Sequence, residues 1–194
     1  MVRHYRSEPV ERKTLERIVA TVRRAPSAGF SQGQRLLVVS EPKLLRKLAE
    51  LAEKEEMPEG AEPWVSSAAA QVFVLTREAD YHERYQKEDK LYEQGAEIEW
   101  PVPFWHFDAG AAAMLVLLAA IDEGLACGLY GVVGEDEVPL RELLKIPPEL
   151  TIVAGITIGR AAPDPGWSKL TSRATQRRRP LDELVHWQTW DGAG

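Results

Sequence analysis

Apolar positions along the chain fall into a short series of distinct patterns. Between Glu8 and Arg24, Val10, Leu15, Ile18, Val19 and Val22 recur near helical spacing with charges opposite, predicting an amphipathic helix that starts at Pro9 and is ended by Pro26. The run RLLVVS, residues 35–40, reads as a buried strand. Residues 41–56 read as a second amphipathic helix with Leu44, Leu45, Leu48 and Leu51 on one side. After the break MPEGAEP, Gln71–Thr76 predicts another strand. Residues 79–106 are rich in charge and aromatic rings but weak in apolar periodicity. They predict a helix through Tyr92 and then an irregular, variable excursion carrying Trp100, Phe104 and Trp105.

A long apolar helix is expected from Asp108 to Gly124. Its Gly110, Ala111, Ala112 and Ala113 would let another helix approach closely, and Met114 to Leu118 are apolar nearly all round. Burial on every side in a chain this small suggests a dimer core as well as a monomer core; a central helix of a monomer is the other reading. Then follow CGLYGVV, a strand or turn, DEVPLRELLKI, a helix, and a strand at Leu150–Ile158. Residues 160–194 form an extended C-terminal segment without a continuous core pattern, and Trp167, Trp187 and Trp190 favour its wrapping a partner. Helices and strands mix without regular βαβ alternation, which predicts an α+β fold: a mixed central sheet surrounded by helices, in one domain spanning 1–194.

Composition narrows the classes of function. Hydrophobic residues make up 44% and charged residues 28% of the 194, ordinary for a globular protein. A net charge of −6 argues against general nucleic-acid binding. The longest apolar stretch, Ala109–Ile121, is thirteen residues, whereas a membrane span needs about 20, so no membrane role is expected. Nothing at the N-terminus resembles a secretory signal. With one cysteine, Cys127, no intrachain disulfide and no thiolate zinc cage can form, and reducing cytoplasm is the expected location.

The candidate chemistry begins with what is missing. There is no G-x-G-x-x-G after a strand, no G-x-x-x-x-G-K-[ST], no H-E-x-x-H and no G-x-S-x-G. His4, His82, His106 and His186 are scattered, so no metal site is expected, and Ser27 and Ser31 have no base beside them in sequence. What stands out is Ala25–Gln34, APSAGFSQGQ, ten small and turn-prone residues between two well-patterned elements. Either something flat lies against this backbone or the loop is slack. A second close approach is available at Leu129-Tyr130-Gly131. Arginines stand at both ends, Arg3 and Arg6 at the front and Arg177, Arg178 and Arg179 at the back; they either grip phosphate or form a solvated cluster. Cations, backbone donors and apolar cover are together what a flavin mononucleotide needs.

At this point four stretches, taken in order, resemble the FMN-dependent nitroreductase family over essentially the whole chain: Arg3-x-Tyr5 followed by EPV, RRAPSAGFSQGQRLLVV at 23–39, WPVPFWHFDAGAAAMLVLLAAIDEGLACGLYGV at 100–132, and RRRPLDELVHWQTW at 177–190. The third is similar to an actinobacterial-type branch. The resemblance implies an intertwined homodimer with FMN held non-covalently at the interface, a hydride taken from NADH or NADPH, and a nitroaromatic, quinone or other conjugated small-molecule acceptor reduced by a ping-pong mechanism. It implies that Arg3 and Arg178, with Arg177 or Arg179, hold the phosphate. Pro26, Ser27 and Ala28, with Gln32 nearby, would border the ring from the partner chain. Backbone N–H groups of Tyr130 and Gly131 would face the ring's N5/O4 edge. Two departures stand out: Met1 lies where the family has serine, so the phosphate clamp is short unless the chain begins further upstream, and Phe30 replaces an asparagine of many members.

Residues 79–106 are where acceptor choice is expected. Arg84, Tyr85 and Lys90 would reach phosphate, an anionic substrate or nothing; Trp100, Phe104 and Trp105 would roof the flavin or pack beneath a lid. His106 donates a proton or is structural. Two rivals keep the flavin, a non-catalytic FMN-binding or storage module and a flavin-cleaving enzyme on the same fold. A third is an interaction protein without flavin.

Overall fold

The computed structural model describes residues 2–52, 65–91, 95–132, 134–163 and 178–190. These divide into two compact units, 178–190 forming the described part of the second. The first unit contains helix α1 (Arg12–Ala20) with a 3-10 turn at Thr21–Arg24, strand β1 (Gln34–Val39), helix α2 (Pro42–Ala52), strand β2 (Ala70–Thr76), helices α3 (Ala79–Tyr85) and α4 (Phe104–Asp122), strand β3 (Ala126–Tyr130), helix α5 (Glu137–Leu144) and strand β4 (Thr151–Gly159). In the second unit Leu181–Leu184 make one short helix, α6, and Trp187 and Trp190 are exposed.

The sheet runs β1-β2-β4-β3. All three pairings are antiparallel, so the expected mixed sheet is, in these strands, antiparallel throughout. Period-two alternation splits the apolar side chains between two layers. Val72, Val74, Ile156 and Ile158 face α1 and α4, where they meet Ile18, Ala109, Val116 and Ala120. Phe73, Leu75 and Ile152 face α2 and α5, with Leu45, Leu48 and Leu140. A register shift between Val74 and Leu75 keeps this alternation matched across β2 and β4.

Four expectations change. The strand expected at 35–40 forms at 34–39 and is half exposed, because among the described residues β1 pairs with β2 alone and lies at the sheet's edge. The helix expected through Tyr92 ends at Tyr85, where Asp89 folds back to take both terminal nitrogens of Arg84. Phe104 and Trp105 belong to no irregular excursion but open α4, directly after Pro103. And α4 buries one face only. Ala109, Ala112, Val116 and Ala120 are fully enclosed, while Phe107, Met114, Leu118 and Ile121 stand in solvent.

Phe73, with no solvent exposure, is the largest apolar side chain of the α2/α5 layer. Phe73→Ala is expected to cost about 3–5 kcal/mol, read from the midpoint and slope of a urea transition.

Candidate functional site

The loop after α1 is held far more tightly than slack chain. Ser27 is extended at φ −146°, and the 3-10 turn Ala28–Phe30 follows. Gly29, Phe30 and Gln32 then take left-handed φ values of 59°, 61° and 54°. Only glycine adopts that region freely, and a residue with a Cβ is held there at a cost of about 1–2 kcal/mol. Local bonds close the turn: Ser31 Oγ donates to Ala28 O at 2.6 Å, and Gln32 N–H to Ser27 Oγ at 3.0 Å. The remaining grip comes from β1, where Gln34 Nε2 donates to Pro26 O at 3.0 Å and Arg35 Nη1 to Gln32 O at 2.7 Å, and from α3, its lead-in and α4. Arg84 Nε donates to Gly29 O at 2.9 Å, and Arg77 N–H to Gly33 O at 3.0 Å. Asp108 Oδ2, on α4, accepts from the Ala28 N–H and from the Tyr81 hydroxyl, each at 2.8 Å.

Rings do press on this backbone, and the ones seen belong to the chain itself. A Cβ on Gly29 would stand 2.5 Å from the Tyr85 ring, and one on Gly33 would run into the Tyr81 ring. The smallness of those two positions is therefore required by α3. Burial, and then the Asp108 carboxylate, push the Tyr81 phenol well above its ordinary pKa, so it remains a donor.

The excursion residues brace this platform. Tyr85 packs edge-on against Trp100 with centroids 4.5 Å apart, and Trp105 and Trp100 both meet Tyr81 and His82. Arg84 spends its guanidinium on Gly29 O and Asp89, and Lys90 lies 5.7 Å from the Tyr85 ring centre. Phe104 is half-buried, near Phe107 and Trp100. His106 is exposed on α4. The segment before α4 is fastened by Glu97, which accepts from Trp100 Nε1 at 2.6 Å and Gln86 Nε2 at 3.3 Å and bonds His82 Nδ1 at 2.6 Å.

Tyr130 ends β3 on the other side of the sheet. Its hydroxyl donates to buried Gln71 Oε1 at 2.6 Å, its ring covers Gly155, and burial raises its pKa. Gly131 is exposed, and both residues line a cavity of about 160 Å³ with Leu48, Leu51, Val65 and Asp136. None of residues 26–32 lines that cavity. Arg3 is half-buried in a segment tied to the ends of β3 and β4 by Val2 N–H to Cys127 O and Ala162 N–H to His4 O. Arg178 and Arg179 are exposed, and Arg177 lies outside the described residues. Sequence reasoning missed Asp108 and Tyr81. The available signal was an acid set in the otherwise apolar run FDAGAAAMLVLLAA.

Fold and site together define a class: an α+β protein whose antiparallel sheet is covered on both faces, with a braced small-residue loop beside an apolar helix left open on one side. The sequence profile of the nitroreductase family matches residues 1–160, and the chain belongs to that family. A protein of Archaeoglobus fulgidus, provisionally assigned as an NADH dehydrogenase/NAD(P)H nitroreductase, is 26% identical over 160 residues, 81% of this chain and 78% of its own. An FMN-dependent nitroreductase of Clostridium difficile superposes with a TM-score of 0.65 at 20% identity, over 97% of this chain and 94% of its own. The NADPH:FMN oxidoreductase of Vibrio harveyi, solved with NAD+, gives 0.67 at 19% identity over 100% and 75%.

Two outcomes test the platform. Gly33→Ala should destabilise the protein by about 1–3 kcal/mol, because the new methyl meets the Tyr81 ring and sits 3.0 Å from Arg77 O; an unchanged urea midpoint would show that Tyr81 yields freely. For His82, burial pushes the imidazole pKa down, but bonds to Glu97 and Glu78 outweigh it and hold the pKa above the ordinary 6.5. The folded value being the higher one, the stabilisation is complete below about pH 6.5 and fades as pH climbs through the raised value. The melting temperature of His82→Gln should therefore fall short of wild type in mildly acidic buffer and converge with it in alkaline buffer.

Proposed function

We propose that two copies of this chain bind FMN non-covalently at a shared face and carry electrons from NADH or NADPH to small conjugated acceptors, nitroaromatics or quinones, in alternating half-reactions. The observation that carries this reading is the open row on α4. Phe107, Ala111, Met114, Leu118 and Ile121 repeat at intervals of four and three, a continuous apolar seam on the same helix whose buried face anchors the loop through Asp108. A seam of that spacing suits a second helix of its own kind. A dimer through it would let loop 26–32 of one copy serve Tyr130-Gly131 of the other, the arrangement that the family resemblance implies. Membership of the nitroreductase family supports a flavin-dependent oxidoreductase, and the Clostridium difficile and Vibrio harveyi proteins are named for FMN.

The residues fit such a group. Pro26 and Gln32 are exposed, Ser27 and Ala28 half-buried, and Ser27 Oγ already accepts from Gln32 N–H, leaving its proton for an outward bond. FMN, when bound, would supply the redox chemistry. The chain binds and orients. Backbone N–H groups at Tyr130-Gly131 would face the ring edge and favour negative charge there, with the Tyr130 side chain fixed by its bond to Gln71. Arg3, Arg178 and Arg179, with Arg177, are the cations this reading assigns to the phosphate. Residues 79–106 brace the loop and choose the acceptor, with Trp100, Phe104 and Trp105 shaping its approach. The single cysteine agrees with work in reducing cytoplasm.

Purified protein titrated with FMN should gain flavin absorbance that is bleached by NADH or NADPH and restored by a nitroaromatic or quinone. Binding without bleaching would leave a storage module, loss of the flavin itself a cleaving enzyme, and no binding at micromolar FMN would remove the reading. Arg178→Ala with Arg179→Ala should weaken FMN binding by about 2 kcal/mol, roughly 30-fold. Met114→Glu with Leu118→Glu should convert dimer to folded monomer by sedimentation, since both side chains are exposed in the single chain.

A further inference from the structure

Asp108 interrupts the buried face of α4 with a carboxylate that is 3% exposed. Among the described residues, two hydrogen bonds reach it from beyond its own helix and end on one oxygen, Oδ2: the Ala28 N–H and the Tyr81 hydroxyl. A residue serving Tyr81 alone would tie only α3 to α4. Sharing the oxygen with Ala28 ties the loop to both. We propose that Asp108 is a positioning residue for the cofactor site, holding loop 26–33 in its bound form before the cofactor arrives. The inference rests on the reading of that loop as a border of the FMN site.

The loop needs such a hold. Phe30 takes a left-handed φ of 61° with its ring 74% exposed, so no burial of its own compensates the strain, and Gln32 repeats the conformation at 54°. Conformations of this kind persist only where neighbours over-determine them. Five groups do so here: Arg84 at Gly29 O, Arg77 N–H at Gly33 O, Asp108 at Ala28 N–H and, from β1, Arg35 Nη1 at Gln32 O and Gln34 Nε2 at Pro26 O. Two belong to α3 and its lead-in. Asp108 alone among them comes from α4, the helix that carries the open apolar seam, so it registers the loop against the face on which a second copy would sit. What the geometry demands of residue 108 is an acceptor oxygen at that point, which an amide oxygen also supplies.

The test uses the full chain, with and without FMN. In Asp108→Ala, hydrogen exchange of the Ala28 amide and the rest of 26–33 should accelerate at least tenfold while peptides of β2 and β4 stay as in wild type, and the FMN Kd should rise at least tenfold. Asp108→Ser, too short to reach Ala28, should behave alike and covers the case that the alanine variant does not fold. Asp108→Asn should rescue both readouts to within threefold. Unchanged loop exchange and FMN affinity in the alanine or serine variant would overturn the role, as would acceleration spread equally over the sheet or an asparagine variant as weak as alanine. A wild type that takes up no FMN would sink the cofactor reading and this proposal with it; a wild type that binds FMN beside an unaltered Asp108→Ala affinity overturns the role of Asp108 alone.

Discussion

A carboxylate enclosed in an apolar helix has to find donors, and most of what is distinctive in this molecule follows from where Asp108 finds them. An unmet buried acceptor or donor costs about 1–3 kcal/mol, so the Ala28 N–H and the Tyr81 hydroxyl are brought to the same oxygen. Satisfying it pulls the loop after α1 and the start of α3 onto one point of α4. Once Tyr81 is there, its ring fills the space beside Gly33, and one turn later Tyr85 fills the space beside Gly29. The loop's shape, the orientation of α3 and the position of α4 are therefore one constraint met three ways.

The aromatic residues around α3 extend that constraint outward. Trp100 and Trp105 pack on Tyr81 and His82, and Glu97 gathers the Trp100 indole, the Gln86 amide and the His82 imidazole. A segment of low apolar periodicity is thus held by side-chain hydrogen bonds and ring edges in place of a buried stripe. Arg84, at the same place, is neutralised by Asp89 and committed to Gly29 O. A guanidinium so engaged serves the backbone before it serves any ligand.

On the other side of the sheet the logic repeats with different parts. Tyr130 closes β3, lays its ring on Gly155 and anchors its hydroxyl on Gln71, leaving Gly131 as exposed backbone at a cavity's edge. Helix α4, packed on the opposite layer, keeps an apolar row of Phe107, Met114, Leu118 and Ile121 exposed. The pairing of two copies proposed above rests on that exposed apolar row.

Periodicity alone located nearly every element, because helices and strands repeat their apolar positions at 3.6 and 2 residues and because Pro26 and Pro103 mark boundaries. It also singled out APSAGFSQGQ as a place of close approach, and the nitroreductase resemblance was carried by local stretches that keep their order along the chain. It failed where long-range partners decide. The end of α3 depends on Asp89 returning to Arg84, the inclusion of Trp105 in α4 on its ring packing across to Tyr81 of α3, and the half exposure of β1 on its place at the sheet edge. Only tertiary structure revealed which rings lie on the glycines, and that an acid buried in an alanine-rich helix holds the loop. Sequence determines local pattern through short-range sterics and hydrophobic spacing. Which distant groups satisfy a buried polar atom is settled only when the whole chain has closed around it.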